Sequence, residues 1–208
     1  MDGLFKMISF IKILLVASLL GMVGCSTLPP SNPNNLCDIF DEKSSWYKDA
    51  KKAEKRWGSP VPVMMSIIYQ ESMFRHNART PRTKILWIFP GPRKSDAFGY
   101  PQAKNAVWGE YQDQGGNSFA RRDNFGDAID FIGWYNKQSQ KRSRIGLSDG
   151  YNLYLAYHEG HGGYNRGTYR QKGWLMNTAQ KVQTRSQQYA SQLQNCEERF
   201  KGSWWWPF

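Results

Sequence analysis

The sequence is poor in acid. Seventeen Asp and Glu stand against 28 Lys and Arg, a formal net charge of +11 over 208 residues. It is also poor in the residues that hold metals. Three cysteines and three histidines are scattered with no cluster at ligand spacing, which argues against a metal site. No apolar run is long enough to cross a bilayer: residues 13–23 form the longest, where a spanning helix needs about 20 residues. There is no internal repeat. Glycine-rich sequence is confined to "GHGGYNRG" at 160–167, which follows a helical pattern instead of a strand, so a nucleotide phosphate cradle is a weak reading.

What is present begins with an export signal. Lys6 and Lys12 precede the run 13–23, which has the proportions of a signal-peptide core. The segment "MVGC" at 22–25 resembles a lipobox, the bacterial signal at which a cysteine is lipidated and becomes the mature N-terminus, with Met22 where Leu is usual. Ser26, in place of Asp, is what sorting to the outer membrane implies in that class of signals. The alternative is a cleaved signal with an incidental cysteine. A start at Met7 leaves a tighter signal than Met1. The expectation is a signal peptide over 1–24, a lipid on Cys25 that holds the protein to the outer membrane facing the periplasm, and a flexible Ser, Pro and Asn tether over 25–37. Removing 1–24 takes away two lysines and one aspartate, leaving +10 on 184 residues, one domain of ordinary size. In an exported protein that charge points to anionic envelope polymers or membrane headgroups. Nucleic-acid binding depends on charge alone and requires the export signal to be false. An aromatic content of 15%, with nine Trp, suits stacking on carbohydrate and equally an aromatic core.

Helical periodicity starts near Asp38. Trp46, Ala50, Ala53 and Trp57 recur by four, three and four, ending at Gly58. Pro62 is placed for the first turn of a helix running to about Ser72. Residues 79–96, with prolines and cations around "ILWIF", predict a strand or inserted hairpin. Further helices are predicted over 124–138 and over about 149–158, the latter capped by Ser148 and Asp149. The clearest stripe is Leu175, Ala179, Val182, Ser186, Tyr189, Leu193, Cys196 and Phe200. The fold class is therefore mainly α with a small β-like insertion, in a domain spanning 38–200 before a tail over 201–208. Its "WWWPF" either meets a membrane interface or folds back. Cys37 and Cys196, an even pair once Cys25 carries lipid, predict a disulfide joining the ends of the domain, with two buried thiols as the alternative.

One residue type is out of place. In "YQESMF" at 69–74, Glu71 falls on the stripe made by Ile68, Ile67 and Met64. A carboxylate on such a face is costly unless it is paired, for instance with Arg75, or protonated, or used. Three segments then follow in order: "ESMF" at 71–74, "FGYPQA" at 98–103 and "AYHEGHGGY" at 156–164. Together they resemble the lytic transglycosylases of the soluble-lytic-transglycosylase type, a branch of the lysozyme-like fold close to goose-type lysozyme, over roughly residues 58–195.

The resemblance implies an enzyme that needs no cofactor, takes peptidoglycan glycan strands as its partner, and cleaves the MurNAc–GlcNAc β-1,4 bond with formation of 1,6-anhydro-MurNAc. It makes Glu71 the acid and then the base, Ser72 a glycan contact, Gln102 the glutamine of the turn and Tyr157 the tyrosine near the carboxylate. Tyr100 and Pro101 stand where the family has Leu-Met, implying a reshaped floor of a sugar subsite, and His158 stands where it has Asn. Asp96, Glu110, Asp113, Asp127 and Glu159 are candidate second carboxylates and keep a hydrolytic muramidase open. A non-catalytic glycan-binding or scaffolding lipoprotein is the remaining alternative. Nothing in the sequence indicates a protein partner.

Overall fold

A computed structural model describes residues 28–85, 88–115 and 118–201. Cys25, the signal peptide and the aromatic end of the tail lie outside them. The helices are α1 (Leu36–Glu42), α2 (Ser44–Trp57), α3 (Val61–Ser72), α4 (Asn105–Gln114), α5 (Phe125–Ser143), α6 (Gly150–Arg166) and α7 (Gly173–Cys196); β1 (Arg82–Ile85) and β2 (Phe89–Arg93) lie between α3 and α4.

The centre is α3. Residues 61–68 are buried on every side, as a helix that is apolar all round must be, and α5, α6 and α7 pack about it. Pro62 sits in its first turn, where the missing N–H costs nothing. Helix α2 buries Trp46, Tyr47, Ala50 and Ala53 and stops at Gly58, whose left-handed φ of 77° closes the cap. The α7 stripe from Leu175 to Cys196 is buried as its spacing predicted. Trp46 stacks flat on Phe125 at 3.9 Å, and Phe74 and Tyr100 pack on Trp46, forming an aromatic layer beneath the turn at 98–103. The predicted hairpin is present, antiparallel, with Arg82 opposite Arg93 and Lys84 opposite Pro90.

Four features differ from expectation. Helix α5 continues to Ser143, beyond 138, with Lys141 and Arg142 in the last turn, where they interact favourably with the negative end of the helix dipole. Helix α4 had no predicted counterpart because it buries only Trp108 and Tyr111, too few positions to mark a stripe. Residues 160–167, read as a glycine-rich loop, are largely helical. Gly160 leaves helical geometry, at φ 71° and ψ 158°, the chain then resumes a helix to Arg166, and Gly167 caps it at φ 73°. The fourth is the tether, whose last residues are fastened. Both the Ser31 N–H and its hydroxyl donate to Glu42, at 2.7 and 2.8 Å, and Arg185 and Gln192 of α7 donate to Asn34 at 2.9 and 3.1 Å. Cys37 and Cys196 are joined in a disulfide with Cα atoms 6.0 Å apart, closing the domain across a separation of 159 residues.

Among the described residues no helix is long and apolar enough to cross a membrane, and no group of three or more His, Cys, Asp or Glu could hold a metal ion.

Candidate active site

Glu71 is the penultimate residue of α3. The helix is stopped at once by two non-glycine residues in left-handed geometry, Met73 at φ 50° and Phe74 at φ 59°. Such conformations cost free energy, and the complete burial of the Phe74 ring offsets it. The carboxyl group thereby ends at the floor of a cleft of about 370 Å³. Four further elements wall it: the turn after Gly99, with Gln102, then Val107 of α4, Phe131 and Tyr135 of α5, and Tyr157 to Gly160 of α6.

Burial strips water from the Glu71 carboxyl group, and this loss of hydration pushes its pKa from 4.5 up to about 7. The Tyr154 hydroxyl, hydrogen-bonded to the carboxylate, acts in the opposite direction. Among the described residues no lysine or arginine forms an ion pair with Glu71. Arg75 instead turns its Nε to the Ser72 carbonyl at 3.1 Å, so it does not neutralise the acid. Of the three options for a carboxyl on an apolar face, partial protonation is the one this environment supplies.

Two tyrosines of α6 stand over Glu71. Tyr154 is 4% exposed, and Tyr157 donates its O–H to the Pro101 carbonyl. Burial first, and the neighbouring carboxylate second, hold both phenols well above their ordinary range, so both remain protonated donors. Gln102 clamps the turn: its Nε2 donates to Ala78 O at 2.8 Å and Gly99 O at 2.9 Å, leaving its side-chain oxygen without a protein donor among the described residues. The turn itself requires Gly99. At its φ of 76° a Cβ would lie 2.1 Å from the Arg122 carbonyl oxygen, a backbone atom that cannot yield.

Two expected glycan residues lie away from the cleft. Ser72 is 1% exposed, and its hydroxyl donates back to the Ile68 carbonyl at 3.1 Å. Tyr100 is 4% exposed and is held edge-on between Trp46 and Phe125, with its phenol pushed up to about 12 by burial. A ring of that size gains more in the aromatic layer than in a polar cleft, so Ala103, Lys104 and Val107 occupy the wall instead. His158 does line the cleft, with Nδ1 3.1 Å from Glu159 Oε1 and its ring edge-on to Trp174.

The candidate second carboxylates are all otherwise engaged or elsewhere. The Glu159 side chain borders the cleft but is only 4% exposed. Burial acts to raise its pKa. Against this, Lys172 Nζ at 2.7 Å, the Thr168 hydroxyl and His158 hold it down to about 2. It is an anion with a partner at each oxygen, His158 and Lys172 at Oε1 and Thr168 at Oε2. Glu110 is paired with Arg142 at 2.7 Å, Asp96 accepts from Asn105 N and Asp127 from Arg121 N; none of these, nor exposed Asp113, lines the cleft.

Three residues at the site were not singled out from sequence. Tyr154 had a signal, its i,i+3 spacing from Tyr157 in "YLAY", which places both rings on one helix face. Tyr135 and the 58% exposed Trp174 had none beyond being aromatic.

Compared with known families, the chain matches the model described as "Transglycosylase SLT domain" over residues 13–196. No curated protein matches it.

Proposed function

The chain belongs to the transglycosylase SLT family, and on that premise we propose that it cleaves the β-1,4 bond between MurNAc and GlcNAc in peptidoglycan and closes a 1,6-anhydro ring on MurNAc. Lytic transglycosylase activity towards peptidoglycan is the function its family supports; the bond, the product and the roles below are our reading.

Protonated Glu71 donates to the glycosidic oxygen, and the bond from MurNAc C1 to that oxygen breaks, leaving GlcNAc with a free 4-hydroxyl. Positive charge develops at C1. The Glu71 carboxylate then takes the proton from the MurNAc C6 hydroxyl as O6 bonds to C1. One group serves in turn as acid and base, and a pKa near 7 suits both tasks. No water is consumed, because the nucleophile is part of the substrate and is held next to C1. Tyr154 supports the carboxylate in its anionic phase, Tyr157 and Gln102 fix the turn beside it, and His158 lies at the rim. Neither Ser72 nor Tyr100 touches the glycan directly in this reading; Ser72 steadies the end of α3 and Tyr100 the turn.

The observation that carries the proposal is Glu71, which among the described residues is the one carboxyl group lining the cleft that has no ion pair. A hydrolytic muramidase needs a second carboxylate to activate water or to act as nucleophile, and Glu159 is a poor base with every oxygen occupied. We further propose that a lipid on Cys25 anchors the enzyme to the outer membrane with its cleft towards the wall. Mass analysis of the muropeptides released from purified murein, by the protein and by Glu71→Gln, tests the catalytic assignment. Anhydro ends from the first and no release from the second are expected.

A further inference from the structure

The hairpin β1–β2 is not used by the chemistry above. We propose that it is a docking element for an anionic phospholipid surface.

The hairpin is strongly cationic. Residues 79–96 hold five cations, Arg79, Arg82, Lys84, Arg93 and Lys94, against one acid, Asp96, which is occupied by the Asn105 N–H. Arg82, Lys84, Arg93 and Lys94 are exposed, and no acidic group of the described residues forms an ion pair with any of them. Beyond these cations the hairpin exposes Ile88 at 80% and Phe89 at 60%. None of the described residues 80–97 belongs to the apolar core. A two-stranded ribbon with no apolar face against the domain is marginal in water, and exposed large apolar side chains at its end mark a contact surface.

The chemistry of that surface separates the partners. Strand addition is disfavoured because two of the five β2 residues, Pro90 and Pro92, have no N–H to offer. Carboxylates of wall peptides would satisfy the cations but leave Ile88 and Phe89 in water. An exposed aliphatic and an exposed aromatic side chain next to the turn, with Lys and Arg along the strands behind them, fit the boundary between acyl chains and anionic headgroups. The hairpin is also rooted in the cleft wall. Arg79 bridges to Phe98 and lays its guanidinium 4.3 Å from that ring, while Gln102 grips Ala78 O at 2.8 Å. Docking the hairpin therefore fixes how the cleft stands over the membrane.

The test uses the full chain with Cys25→Ser, so that no lipid is attached, and co-sedimentation with vesicles of phosphatidylcholine alone or mixed about three to one with phosphatidylglycerol. Binding to the mixed vesicles is expected to be about tenfold stronger and to weaken with salt. Ile88→Ser with Phe89→Ser, and separately Arg82→Gln with Lys84→Gln, should each lower it about tenfold while lysis of murein in solution is unchanged. All four side chains are outside the core, so an unchanged thermal midpoint verifies the fold. The proposal is overturned if the parent chain ignores anionic vesicles, or if either double variant binds them as the parent does, which would assign binding to another segment such as the Trp-rich tail. Loss of binding to murein sacculi with vesicle binding intact would also overturn it, in favour of a wall polymer.

Discussion

The Tyr154 hydroxyl and the Glu71 carboxyl group meet at the floor of the cleft, a phenol on α6 opposing the loss of water around an acid on α3. Burial pushes the acid towards neutrality, and the phenol limits how far it goes. Tyr154→Phe removes the donor and keeps the ring. The Glu71 pKa then rises further, so the alkaline limb of the pH–activity profile moves up by about one unit, the worth of one hydrogen bond to a charged group. Turnover falls about tenfold because the anion loses support in the second step. A pH–rate series on murein checks both effects, and a merely structural tyrosine would leave the limb in place.

Stability follows from the same acid. Its folded pKa of about 7 lies above its ordinary 4.5, so the native state holds a proton that the unfolded chain releases between those values. Folding stability therefore falls as pH rises from about 4.5 to 7. Glu71→Gln abolishes the reaction but removes this cost, stabilising the protein by about 1–3 kcal/mol at pH 8 and by almost nothing at pH 4. Urea denaturation at the two pH values measures the difference.

Glu159 has the opposite sign. Its donors hold its pKa down to about 2, so its contribution to stability is present above the ordinary 4.5 and is lost as pH falls towards 2. Glu159→Gln lowers the thermal midpoint at neutral pH and loosens Lys172 and His158. Because Glu159 takes no proton in the reaction, the variant still makes anhydro ends, at a rate reduced less than about tenfold. Reducing ends lost selectively in this variant would make it a base for water.

Cys37→Ser with Cys196→Ser opens a loop of 159 residues. The chain-entropy relation gives a loss of about 4–5 kcal/mol, read by denaturant titration. Reductant should bring the wild type close to the variant.

Much of this was legible in the sequence because periodicity and burial share one cause. The stripes of α2, α3 and α7 predicted their buried faces, and Glu71 stood out because a carboxylate on the Met64, Ile67 and Ile68 face demands an explanation. Side-chain direction was not legible. Tyr100 and Ser72 are adjacent in sequence to functional residues, yet one joins an aromatic layer built by distant Trp46 and Phe125, and the other satisfies its own helix. The extent of α6 was missed because the four glycines of 160–167 read as a loop, whereas inside the helix only Gly160 departs from helical geometry. A Cβ at Gly163 would lie 3.1 Å from the Glu159 Cβ, so that glycine serves close packing. The fastening of Ser31 and Asn34 depends on side chains of α1 and α7 that no local pattern announces.

The central claim is that one carboxyl group completes the reaction without water. Digesting murein in water enriched in heavy oxygen and weighing the released muropeptides tests it most directly. The account predicts MurNAc ends lighter by one water than reducing ends and free of the heavy isotope, with no release by Glu71→Gln. Reducing MurNAc ends carrying heavy oxygen would contradict it.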